Sequence, residues 1–183
     1  MNLTEKQLEK NYVFEGKIIK VRKDLALMPN GKTASREVVE HNGGVCIAPL
    51  TENNELIFVK QFRYPYMEEV LELPAGKRDS NEEPKICGIR ELKEETGATA
   101  KNITFLGKLY PSPGYCGEII WLYLATGLDF GKQNTDEDEF LEVYKIPLDK
   151  AVEMVLSGEI KDAKTQTLVL KIKLLKDNGI LSN

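Results

Sequence analysis

One stretch of the chain is committed to a helix more strongly than any other before the tail: Pro84 to Thr96, opened by a proline and followed by Gly97. A proline suits the first helical turn, where its missing N–H would have no partner, and a glycine suits the stop. Within this stretch Glu91, Glu94 and Glu95 are related by steps of three and four, so a helix collects them on one side. At ~100° per residue, with Glu91 at zero, Glu95 lies near ~40° and Glu94 near ~300°. Ile86, Ile89 and Leu92 fall at ~220°, ~160° and ~100°. The expected helix buries that apolar stripe and turns its carboxylates outward.

Three like charges within one turn repel, each i,i+4 pair costing about a few tenths of a kcal/mol. Arg90 supplies one compensating charge, and divalent cations bound through oxygen are the natural remainder. Magnesium accepts a few carboxylates together with substrate phosphates and retained waters, so an acidic face suits it. A plain solvated acidic surface is the competing reading of the helix taken alone.

Length and composition narrow the alternatives. A chain of 183 residues suits one globular domain, and 42% apolar with 30% charged residues is ordinary for a soluble protein. No apolar run approaches the roughly 20 residues that span a bilayer, and the polar start lacks a signal-peptide pattern, so a cytoplasmic location is expected. The net charge of −4 disfavours nucleic-acid backbone as a partner. Cys46, Cys87 and Cys116 form no CxxC pair and read as reduced thiols; the lone His41 precedes Asn42-Gly43-Gly44 and reads as a turn residue.

Elsewhere the pattern is mostly that of strands. Residues 1–10 read as a polar lead-in with room for one helical turn, and Val13 to His41 alternates as a hairpin broken at Pro29-Asn30-Gly31. Strands are expected at Val45–Leu50, Leu56–Arg63, Glu69–Leu73, Ile103–Tyr110, Glu118–Thr126 and Leu141–Ile146, with closing helices at Leu148–Leu156 and Lys164–Leu175. The chain is therefore expected to be a mixed α/β protein.

The spacing around the helix is specific. Gly76, then Glu82, then Arg90-Glu91-Leu92, then Glu94-Glu95 and Gly97-Ala98 resembles the Nudix box of the Nudix hydrolase superfamily, with every fixed position filled. Gln61-Phe62-Arg63-Tyr64, Leu71-Glu72-Leu73-Pro74-Ala75-Gly76, Ser112-Pro113-Gly114-Tyr115 and the acidic Asp136-Glu137-Asp138-Glu139 are similar to the ADP-ribose pyrophosphatase subfamily. The resemblance implies an α/β/α sandwich with a mixed sheet at 43–183, preceded by an N-terminal hairpin segment at 1–42 that serves dimerisation and substrate contacts.

It also implies Mg2+, with Mn2+ as a substitute, held by the Ala75 carbonyl, Glu91 and Glu95, with Glu94 supporting an additional ion and Glu139 a candidate ligand. Glu137 is the implied general base, its role interchangeable with that of Glu139 at this level. Glu82 and Arg90 look like orienting partners of the cluster. Arg36, Arg63 and Glu118 are the implied substrate contacts, in a homodimer that exchanges N-terminal segments. The implied reaction is hydrolysis of ADP-ribose to AMP and ribose 5-phosphate. Another nucleoside diphosphate sugar such as GDP-mannose is the alternative substrate, and a non-catalytic ADP-ribose sensor is the alternative of another class.

Overall fold

The structure, a computed structural model, describes residues 2–135 and 139–181. Asp136, Glu137 and Asp138 lie outside the described residues, so the expected general base is among those not described. The chain divides into two compact units, one formed by Met1–Gly43 with Tyr110–Ile119, the other by Gly44–Leu109 with Ile120–Asn183.

The first unit is a sheet built on β3 (Lys20–Leu27), which pairs with β4 (Thr33–Glu40) along one edge. Gly31 takes φ +80° in the connecting turn, a left-handed backbone that glycine adopts without a side-chain clash. The other edge of β3 carries β1 (Lys6–Glu9) and β2 (Tyr12–Glu15). The expected helical turn near the start is thus a strand. All four residues of β1 are exposed, so no apolar alternation announces it; its backbone pairing to Leu25–Leu27 decides its conformation. Tyr110–Ile119 joins this unit through a parallel bridge between Val39 and Cys116.

The second unit is layered. Its four-stranded sheet runs β8 (Ala75–Lys77), β5 (Gly44–Pro49), β10 (Ile120–Phe130), β9 (Ala98–Leu109), with β5 and β10 parallel and the other neighbours antiparallel. A three-stranded antiparallel sheet runs β11 (Leu141–Pro147), β6 (Glu55–Arg63), β7 (Glu68–Glu72).

The two faces of β5 belong to two different cores, as its period of two requires. Val45 and Ile47 pack with Cys87 and Leu92 of α1 (Pro84–Thr96) and with Tyr123 and Ala125. Cys46, Ala48 and Leu50 pack with Phe58, Leu122 and Leu124, and with α2 (Leu148–Leu156) and α3 (Ala163–Asp177) through Leu148, Ala151, Leu168 and Ile172. The strand is buried along its whole length because helices cover both sides. This is the expected α/β/α sandwich. Among the described residues, no helix is long and apolar enough to cross a membrane.

The bounds of α1 match the expectation at both ends, but its orientation does not. Ile86 is 57% exposed and Ile89 40%, whereas Glu91 is 7% and Glu95 2% exposed. The buried face holds Cys87, Gly88, Glu91, Leu92, Glu95 and Thr96, with only Leu92 shared with the expected stripe. The reason is close approach at Gly88, where an added Cβ would stand 3.0 Å from Val45 Cγ1. Packing on the glycine side draws in Glu91 and Glu95, which share that face one and two turns on. The carboxylates point inward.

Candidate active site

The helix is pinned at both ends, which fixes where its carboxylates stand. Glu83 caps it by accepting a hydrogen bond from Ile86 N at 3.2 Å, and Gly97 closes it at φ +70° with its N–H donated to Lys93 O. Opposite the buried face runs the short segment from β7 into β8. Pro74 O accepts from Ile47 N at 2.9 Å, and Ala75 N donates to Glu95 Oε2 at 3.1 Å. A Cβ on Gly76 would meet Glu91 Oε1 at 1.8 Å, so only glycine lets the backbone pass over that carboxyl.

Two carboxyls are thus enclosed with little to neutralise them. Burial pushes the Glu91 carboxyl up to about 7, opposed by the charge of Arg90. Burial pushes Glu95 up to about 8, helped by the negative charge of Glu91 and opposed by the Ala75 N–H. Glu139 adds negative potential to both, and Arg63 draws Glu95 back down. These displacements follow from desolvation of like charges in one site.

Arg90 is the counter-charge. Its Nε and Nη2 donate to the two oxygens of Glu82, each at 3.1 Å, and its Nη1 donates to Glu91 Oε1 at 2.8 Å and Glu94 Oε2 at 2.9 Å. The guanidinium hydrogen bonds hold Glu82 down at about 2. One guanidinium therefore serves three of the four acids, while Glu95 takes a backbone N–H.

Among the described residues no three acid, thiol or imidazole groups are drawn together tightly enough to hold an ion as they stand. The donor set nonetheless fits a hard divalent cation. Glu91 and Glu95 are oxygen donors, buried and one turn apart, with the backbone of Ala75 and Gly76 laid across them.

The other expected site residues divide between the units. Arg63, at the end of β6, forks onto Glu72 with Nε–Oε1 at 2.6 Å and Nη2–Oε2 at 2.7 Å, and lies in electrostatic reach of Glu95. Arg36 and Glu118 belong to the first unit. Arg36 donates to Glu5 at 2.9 and 2.6 Å; Glu118 Oε1 stands 3.4 Å from His41 Nδ1, which accepts from Gly43 N. His41 is the turn residue expected, with a carboxylate beside it. Pro74 and Gly76 are expected from the sequence to let the chain turn and aim the Ala75 carbonyl inward. Sequence reasoning missed Glu72 as the partner of Arg63, and missed that the Glu91 carboxyl lies where a Gly76 side chain would stand. Neither had a local signal beyond its place in the Leu71–Gly76 motif.

A NUDIX domain matches residues 40–167, and a nucleoside diphosphate sugar hydrolase N-terminal domain matches residues 5–39. The chain belongs to the NUDIX domain family. It is 41% identical over 175 residues to an ADP-ribose pyrophosphatase of Bacillus subtilis (strain 168), covering 94% of this chain and 95% of that one. It is 37% identical over 173 residues to a methanol dehydrogenase activator of Bacillus methanolicus, covering 93% of each. A crystal structure of an ADP compounds hydrolase has the same fold, at a TM-score of 0.84 and 23% identity over 99% of this chain and 100% of that one.

Two outcomes follow from the buried pair. Both carboxyls keep their protons to higher pH in the folded chain than at the ordinary value of 4.5, so their contribution to stability is full below 4.5 and is lost as pH rises through about 7 and about 8. Glu72 and Glu82 are held low by their cationic partners and titrate below that window. The metal-free protein should melt several degrees lower at about pH 9 than at about pH 6, and saturating Mg2+ should narrow the gap. A flat melting profile would contradict the burial argument. Separately, Gly76→Ala should displace the Glu91 carboxyl and weaken Mn2+ binding by about tenfold or more, read by titration calorimetry. Unchanged affinity would show that this close approach does not serve the ion.

Proposed function

We propose that this protein hydrolyses the pyrophosphate bond of ADP-ribose to AMP and ribose 5-phosphate, with Mg2+ as its cofactor. The observation that carries the reading is the inward-facing pair Glu91 and Glu95 under the Ala75–Gly76 backbone. Burying two carboxylates costs stability, and of the two only Glu91 is hydrogen-bonded by Arg90, so a divalent cation is the natural further partner of the pair.

In this reading Glu91, Glu95 and the Ala75 carbonyl hold the ion, and Glu94 and Glu139 extend the ligand set. Bound there, Mg2+ would supply positive charge to the substrate phosphates and would make an attacking water more acidic. Glu137, outside the described residues, takes the proton from that water, a role that Glu139 shares as a candidate. Arg63, held in orientation by Glu72, places a planar cation against phosphate oxygens. Arg36 and Glu118 are the further substrate contacts that the family resemblance implies, and the protein works as a cytoplasmic homodimer.

A second reading keeps the chemistry and changes the substrate to another nucleoside diphosphate sugar such as GDP-mannose; the N-terminal match to nucleoside diphosphate sugar hydrolases favours it as the runner-up. An ADP-ribose sensor without activity is disfavoured by a Nudix box with every fixed position filled.

Glu95→Gln should lower kcat by about 10³-fold or more, at or beyond the usual loss for a general base, while the metal-free variant melts no lower than wild type. Near-normal kcat in this variant refutes the metal role. In a substrate panel with Mg2+, ADP-ribose should give the highest kcat/KM. A nucleotide sugar ahead by about tenfold would replace it as the substrate.

A further inference from the structure

The segment that crosses the buried carboxyls is held from a distant part of the chain. β7 ends at Glu72 and β8 begins at Ala75, so Leu73 and Pro74 fall between two strands, and Leu73 is fully buried. A buried N–H there needs an acceptor, and Leu73 N donates to Thr165 Oγ1 at 2.9 Å. Next to Thr165, Lys164 Nζ bonds Glu72 Oε2 and reaches Asp162 Oδ1 at 2.9 Å. Asp162 also caps α3 by accepting from Thr165 N at 2.9 Å.

The first turn of α3 thus aims two polar groups, the Lys164 ammonium and the Thr165 hydroxyl, at one short segment, with Asp162 holding both from the cap. Packing does not require them. Leu168, Val169 and Ile172 supply the apolar contacts of α3 from the next turns. A buried lysine paired to a carboxylate is seldom more stable than an apolar side chain of similar volume, and valine would fill the space of Thr165. What the polar groups do supply is orientation. Glu72 has one oxygen on Arg63 Nε and the other shared by Arg63 Nη2 and Lys164, so neither the carboxylate nor the guanidinium can turn independently. Three residues on, Ala75 is tied to Glu95.

We propose that Lys164 and Thr165 are positioning residues of the hydrolytic site, with Lys164 setting the orientation of Arg63 through Glu72 and Thr165 setting the aim of the Ala75 carbonyl through Leu73. The inference deepens the function proposed above and rests on its roles for Arg63 and Ala75.

The test compares Thr165→Val, which keeps the shape and removes the acceptor, with Thr165→Ser, which keeps the hydroxyl. Thr165→Val should bind Mn2+ about tenfold more weakly in calorimetry and lose a similar factor in kcat, while Thr165→Ser stays within about twofold of wild type. Amide exchange at Ala75 and Gly76 should quicken in the valine variant alone. Lys164→Met should raise KM for ADP-ribose about tenfold with kcat changed less, because Arg63 is the group released. A Thr165→Val protein that melts lower yet keeps wild-type Mn2+ affinity, kcat and exchange would overturn the proposal, leaving α3 a stability element only. If the valine variant does not fold, Lys164→Met decides, and an unchanged KM overturns it; two variants that both unfold would do the same. Wild-type protein that takes up no Mn2+ would sink the metal reading instead, and the exchange comparison would still decide the clamp.

Discussion

Everything distinctive in this molecule depends on two glutamates turned into the interior. Glu91 and Glu95 lie on the buried face of α1, against the backbone of Ala75 and Gly76, and both resist ionisation because water is excluded there. Carboxylates at these positions carry a desolvation cost that apolar side chains would not. The surroundings are arranged around that cost. Gly88 lets the helix approach Val45, Gly76 leaves room for the Glu91 carboxyl, and Arg90 bridges Glu82, Glu91 and Glu94.

The rest of the second unit is a frame for that arrangement. β5 has one face in each core, which locks the sheet between α1 on one side and α2 with α3 on the other. Because Ile47 N holds Pro74 O while Thr165 holds Leu73 N, the strand-to-strand segment is anchored to both layers before it reaches the carboxylates. A hydrolytic site placed there inherits the rigidity of the core, which positioning of reacting groups demands.

Much of this was legible in the sequence, and the boundary of legibility has physical causes. The limits of α1 were written locally, in Pro84 and Gly97, and the limits of α2 at Leu148 and Leu156 were read as they stand. The acid cluster and its spacing to Gly76 were equally plain. Which face of α1 is buried was not, because periodicity weighs Ile86 and Ile89 whereas the packing was decided by a glycine meeting a valine on another strand. β1 was missed because an edge strand with four exposed side chains is specified by its partner's backbone. The second partner of Glu72 was out of reach for a similar reason: Lys164 and Glu72 stand 92 residues apart, and nothing local to either points at the other.

The central claim is that the interior carboxylates exist to hold a divalent ion beside the Ala75 carbonyl. Anomalous scattering from a crystal soaked in Mn2+ tests it most directly. The account predicts a peak within ligand distance of Glu91, Glu95 and the Ala75 oxygen, with the Arg90 hydrogen bond to Glu91 released or lengthened. A crystal with no peak there, and with Glu91 still closed onto Arg90 at saturating Mn2+, would contradict it.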